Sequence, residues 1–153
     1  KATRPSILIL GASSFLTKSL VKKLLGINKF QIICQSRINL QGRYGINESE
    51  IIYQTINYAN NNYPSEIFKN CTYIINLVNA SSLSHEERMN FRRFLKHVIF
   101  ISKADLIHLS TASVYGKSND KIITELSKCN PKNDYQKPDQ GLSRPYPTGL
   151  CPV

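Results

Sequence analysis

Ser6-Ile7-Leu8-Ile9-Leu10-Gly11-Ala12-Ser13-Ser14-Phe15-Leu16-Thr17 passes from an unbroken apolar run, through glycine and small hydroxyl residues, into a stretch with helical spacing. The apolar run predicts a strand over 6–10. Phe15, Leu16, Leu20, Leu24 and Leu25 recur at the spacing of one helix face with lysines between them, which predicts a helix over 15–25. Gly26 is then the expected stop.

The same alternation continues along the chain. Strands are expected over 30–34, 50–56, 72–78 and 105–109, with a short helix over 64–68 and a longer one from His85 to His97. Strands alternating with helices imply βαβ units, right-handed crossovers and an α/β fold with a parallel sheet of about five strands. No internal repeat is seen, and Asn57 to Asn62 is an asparagine-rich loop. The character changes near the end, where Pro131, Pro138, Pro145, Pro147 and Pro152 crowd together and Gly141 and Gly149 interrupt any period. This divides the chain into a folded part over 1–137 and an irregular tail over 138–153.

A chain of 153 residues with 41% hydrophobic residues can bury a normal core, so disorder is not the expectation. No apolar run approaches the roughly 20 residues that cross a bilayer, and no membrane partner is expected. Lys1-Ala2-Thr3-Arg4-Pro5 is unlike a signal peptide, and Lys1 in place of Met suggests a trimmed or incomplete start. Cys34, Cys71, Cys129 and Cys151 are widely spaced, which argues against a metal site or a disulfide framework and fits a reducing cytoplasm. The net charge of +10 leaves nucleic acid, an anionic surface and a phosphorylated ligand as partners to weigh. Its sharpest cluster, Arg88, Arg92, Arg93 and Lys96, lies beside Glu86 and Glu87 without interleaved aromatic residues. That pattern describes a solvated helix face better than a nucleic-acid platform, so no nucleic acid is expected. His85, His97 and His108 are scattered, and His108 falls inside a strand as a structural histidine.

Leu106-Ile107-His108-Leu109 runs directly into Ser110-Thr111-Ala112-Ser113-Val114-Tyr115-Gly116. A strand ending in hydroxyl residues delivers O–H groups to the carboxyl edge of a parallel sheet, where ligands of open α/β sheets bind. The segment resembles the Ser/Thr-Ala-Ser-Val-Tyr-Gly signature of the extended short-chain dehydrogenase/reductase superfamily, the NAD(P)-dependent sugar-nucleotide epimerases and dehydratases. The resemblance covers roughly residues 6–137 and implies a Rossmann-like, doubly wound parallel sheet, incomplete on one side. The turn after the first strand resembles that family's G-x-x-G-x-x-G cradle, in which backbone N–H groups at a helix N-terminus meet a pyrophosphate. Gly11 is retained, while Ser14 and Thr17 stand at the second and third glycines. The resemblance thus implies Gly11, Ser13, Ser14, Phe15 and Leu16 as cofactor-binding residues. Ser36 stands where NAD-preferring relatives carry Asp, and beside Arg37 this neutral residue favours NADP over NAD; a solvated arginine is the competing reading. Asn76-Leu77-Val78-Asn79-Ala80 resembles the family's His-Leu-Ala-Ala segment, which assigns Val78 to the nicotinamide ribose. Thr55-Ile56-Asn57 lacks the aspartate that usually meets the adenine.

The resemblance also assigns chemistry. Thr111 matches the hydroxyl that orients the substrate, and Tyr135, within Asn130-Pro131-Lys132-Asn133-Asp134-Tyr135, matches the base that precedes a lysine in Tyr-x-x-x-Lys. A phenol with pKa near 10 needs such a cation to act at neutral pH. Here position 139 is Asp139, and Lys137 stands only two residues from Tyr135 with Pro138 beside it. Tyr115 is the competing base and fits packing better. Ala112-Ser113 replaces the Asp-Glu of the 4,6-dehydratases, so an epimerase or reductase acting on a nucleotide-linked sugar is the nearer match. From Pro138 onward the resemblance ends, as after a frame change or truncation. The expectation is a chain inactive by itself or a non-catalytic NAD(P)-binding or partner-binding module. A homodimer is implied for a complete chain only.

Overall fold

In the computed structural model, Ser6–Leu10 forms β1, buried along its whole length at the centre of a five-stranded parallel sheet. Gln31–Ser36, Ile51–Thr55, Cys71–Asn76 and Asp105–His108 form β2 to β5. The sheet order is β3-β2-β1-β4-β5, and the helices Phe15–Ile27 (α1) and His85–Ser102 (α2) make two of the crossovers. The structure describes residues 4–45, 49–59, 63–109, 115, 122–124 and 127. The chain divides into two compact units, Lys1–His108 and Leu109–Val153. All of these elements belong to the first unit; in the second, the Thr124 amide donates to Ser127 Oγ at 3.0 Å.

The chain moves outward from β1 to β3 and then returns to β4 on the other side of β1. That reversal makes the crevice between the carboxyl ends of β1 and β4 the topological switch point of a doubly wound sheet. Register aligns the rim: Leu10 faces Gln35 and Asn76, Ser36 faces Thr55, and Asn76 faces His108.

Period-two alternation splits β1 between two cores. Ile7 and Ile9 join Val21, Ile32, Cys34, Leu40, Tyr44 and Ile51, with Leu20, Leu24 and Leu25 of α1 packed against them. Leu8 and Leu10, neither exposed at all, turn to the opposite face. A separate aromatic group gathers around α2, where Phe94 packs with Tyr58, Tyr63, Phe68 and Phe91 at ring separations of 4.8–6.5 Å. Cys34 and Cys71 are both buried, and burial pushes the Cys71 thiol up to about 11. No described helix is long and apolar enough to cross a membrane.

Several boundaries differ from those expected. Helix α1 runs through Gly26 to Ile27 and closes on Asn28, whose φ of 50° is left-handed and whose N–H donates to the carbonyls of Leu24 and Leu25. Asparagine tolerates that conformation, so a glycine was not required for the stop. Strand β2 extends past Cys34 to Ser36, and Gln35 is fully buried there. Strand β4 ends at Asn76 rather than at 78, while α2 continues five residues beyond His97 because Val98 keeps the buried stripe of Phe91, Phe94 and Leu95 going.

A methyl group on Gly26 would meet nothing within 4 Å, and the residue lies inside a helix. Gly26→Ala is expected to stabilise the fold by about 0.4–1 kcal/mol through the unfolded chain, raising Tm by roughly 2–3 °C in a thermal melt.

Candidate functional site

The turn leaving β1 is held from three directions. Gly11 has φ +71°, and a Cβ there would lie 2.8 Å from Val78 N and 2.9 Å from Leu77 C. Backbone therefore packs on backbone at the switch point, which only glycine allows. The Leu77 amide donates to Leu10 O at 2.9 Å on one side, and the Ala12 amide donates to Gln35 O at 2.9 Å on the other. From below, the Tyr44 hydroxyl donates to Ala12 O at 2.8 Å.

Ser14 then starts α1 as its N-cap. Its amide donates to Gly11 O at 2.9 Å, and its Oγ accepts from the Leu16 amide at 3.4 Å. That last bond is long, so the serine only weakly satisfies an amide at the positive end of the helix. Ser13 is exposed, Phe15 is 88% exposed and Leu16 is 39% exposed, so this end of α1 is open to a ligand. Thr17 is fully buried, and its Oγ1 has no hydrogen-bond partner among the described residues. A hydroxyl where the family's pattern has glycine thus leaves an unsatisfied polar atom, a cost of about 1–3 kcal/mol.

The residues fit a phosphate group at this turn: glycine permits the approach, and the first-turn amides face an open end. The fit is poorer beyond β2. Ser36 is the last residue of that strand rather than the first after it; it is only 3% exposed, and its Oγ accepts from the Ile38 amide at 3.2 Å. Arg37 follows and is paired: Glu87 Oε1, in the first turn of α2, accepts from it at 3.4 Å. The argument for a 2′-phosphate on Arg37 therefore meets an opposing carboxylate.

At the opposite side, Val78 N donates to Asn76 Oδ1 at 3.1 Å. This fixes the orientation of the Asn76 amide, whose Nδ2 donates to His108 Nδ1 at 2.9 Å. His108 is thus held in the sheet by its register partner, in keeping with a structural role. Between the two sides, the buried Tyr58 hydroxyl donates to Gln35 Oε1 at 2.6 Å. Burial pushes the Tyr58 phenol far above its ordinary pKa, with the Gln35 bond opposing. The sequence singled out neither this pair nor Glu87. Ser84-x-x-Glu87 is a legible capping box, but its reach to Arg37 is not.

Gly11, Ser13, Ser14, Phe15, Leu16, Ser36, Arg37 and Val78 all fall on or beside one rim of the sheet. Thr111 and Tyr135 lie outside the described residues, as do Lys137 and Asp139. Tyr115 is described and half-buried. No cluster of three metal-ligating side chains occurs among the described residues.

The family model described as "NAD dependent epimerase/dehydratase family" matches residues 7–137, and the chain belongs to that family. Solved structures share the fold. A UDP-glucuronic acid 4-epimerase from Bacillus cereus, in complex with UDP-glucuronic acid and NAD, superposes with TM-score 0.65 at 19% identity over 86% of this chain and 48% of its own. A dTDP-glucose 4,6-dehydratase from Bacillus anthracis str. Ames, in complex with NAD, gives 0.65 at 19% identity over 86% and 46%. A UDP-glucose 4-epimerase gives 0.67 at 23% identity over 86% and 43%. The chain therefore spans less than half the length of each. No curated protein matches the sequence.

Two substitutions separate architecture from ligand binding at the turn. Gly11→Ala forces a left-handed alanine against the Val78 backbone and is expected to cost about 2–3 kcal/mol, read as a lower urea midpoint at unchanged slope. Ser14→Gly is expected to cost only a few tenths of a kcal/mol while tightening pyrophosphate binding, because the weak side-chain cap no longer competes for the Leu16 amide. Calorimetric titration with inorganic pyrophosphate checks the second outcome.

Proposed function

We propose that this chain is the cofactor-binding half of a nicotinamide-dinucleotide-dependent epimerase or reductase acting on a nucleotide-linked sugar. One observation supports it most: the positive-φ Gly11 turn, pressed on the exit of β4 at the switch point, with the open N-terminus of α1 behind it. The dinucleotide supplies hydride transfer when bound. The chain's own part begins at the turn, where Gly11 admits the pyrophosphate and the amides at the start of α1 hold it. Val78, at the exit of β4, is the residue that would meet the nicotinamide ribose. Thr111 orients the reacting hydroxyl of the sugar, and the Tyr135 phenolic oxygen takes its proton. Two solved structures of this fold are described as complexes with NAD, which supports a dinucleotide at this rim, and nothing among them favours NADP.

Position 139 favours a second reading for the chain as it stands. The sequence has Asp139 where the family's mechanism calls for a lysine to lower the pKa of the tyrosine phenol. The chain then binds dinucleotide without turning over. For a complete protein the proposed assembly is a homodimer, with no nucleic acid as partner.

Titration with NADH and NADPH, followed by thermal melting, tests both readings. Saturation at about 100 times Kd is expected to add roughly 2.7 kcal/mol of stability and raise Tm by several degrees. No change in absorbance of the reduced nicotinamide is expected with UDP-linked sugars. Lack of any thermal shift with either dinucleotide would reject the cofactor reading, and hydride transfer abolished by Tyr135→Phe would reject the inactive one.

A further inference from the structure

The Arg37–Glu87 pair joins two distant parts of the chain across the mouth of the crevice. Arg37 follows β2, and Glu87 opens the helix that follows β4. These strands flank β1, so the pair reaches over the exit of β1 across two strand spacings, about 10 Å. The Glu87 carboxylate is fixed there by the capping box. Its Oε2 accepts from the Ser84 amide at 2.8 Å, and the Glu87 amide donates to Ser84 Oγ at 3.2 Å. Bonding to the Ser84 amide, with Arg37 adding to it, holds the carboxyl below its ordinary pKa, so it is ionised at neutral pH. The second oxygen, Oε1, is the one turned to Arg37.

The strand-end residue itself offers no charge. Ser36 is buried and folded back on Ile38, so the position that normally distinguishes the two dinucleotides is silent. Arg37 alone would attract a doubly charged phosphate. With Glu87 beside it the corner carries one positive and one negative charge, and a 2′-phosphate meets repulsion along with attraction. Ribose hydroxyls are donors and suffer no such conflict; the carboxylate keeps lone pairs to accept them. We propose that Glu87, supplied from α2 rather than from the end of β2, is the specificity-determining carboxylate of this rim and selects the unphosphorylated dinucleotide by occupying Arg37. This rests on the dinucleotide reading above and reverses the cofactor preference expected from Ser36 and Arg37 alone.

The experiment compares dissociation constants of NADH, NADPH, 5′-AMP and adenosine 2′,5′-bisphosphate by calorimetry for the unaltered chain, Glu87→Gln, and Glu87→Gln with Arg37→Gln. Glutamine preserves the capping box, so α2 is retained, and an unchanged melting temperature verifies it. The unaltered chain is expected to prefer NADH and 5′-AMP. Glu87→Gln is expected to shift both ratios toward the phosphorylated ligand by about fivefold, the upper range for an exposed ion pair, and the added Arg37→Gln to cancel that shift. An unaltered chain that prefers NADPH, or a ratio indifferent to Glu87→Gln, overturns the assignment while leaving the dinucleotide site standing. Failure of every ligand to bind any of the three proteins instead removes the dinucleotide reading, and this inference with it.

Discussion

Contact between the Gly11 turn and the backbone of Leu77 and Val78 is the constraint on which the arrangement of the rim depends. A strand pair brings the two segments together; the absence of one methyl group lets them close. Because the approach is backbone to backbone, no rotamer change can relieve an intruding Cβ. The turn is therefore set by main-chain geometry, and Ser14 and Thr17 vary around it at tolerable cost. Ser14 exchanges an open helix end for a weak cap. Thr17 buries a hydroxyl without a partner among the described residues.

A row of buried polar side chains lies along the same edge. Gln35 binds Tyr58, Ser36 binds the Ile38 amide, and Asn76 joins Val78 to His108. Ser36 and Asn76 end their strands and Gln35 stands one residue before the end of β2, each beyond an apolar run, so the sheet turns polar within its last two residues. Unpaired, such groups would destabilise the core. Paired, they fix the loops that leave the strands, including the loop carrying Arg37.

The strands and helices were legible in the sequence where one physical signal dominated. Ser6–Leu10 is apolar throughout, and Phe15 to Leu25 has a clear helical period. Errors arose where a long-range partner outweighed local character. Gln35 looks like the polar end of a strand, but Tyr58, 23 residues later, satisfies its amide and lets β2 continue. Gly26 looks like a helix stop, but Asn28 adopts the left-handed cap instead. Of the candidate site, the Gly11 turn was legible because strand, glycine and helix are contiguous. Glu87 was not, since nothing local links it to Arg37, 50 residues away. Thr111 and Tyr135 rest on family resemblance alone, and both lie outside the described residues.

The position of β1 has one more consequence. It is the one strand whose two edges both carry the turn's anchoring bonds, to Gln35 on one side and Leu77 on the other. Amides on such a strand exchange with solvent only when the sheet itself opens, so they report global rather than local unfolding. The Gly11 turn is thus mounted on the central strand of the sheet, where fraying of the outer strands leaves its anchoring bonds in place.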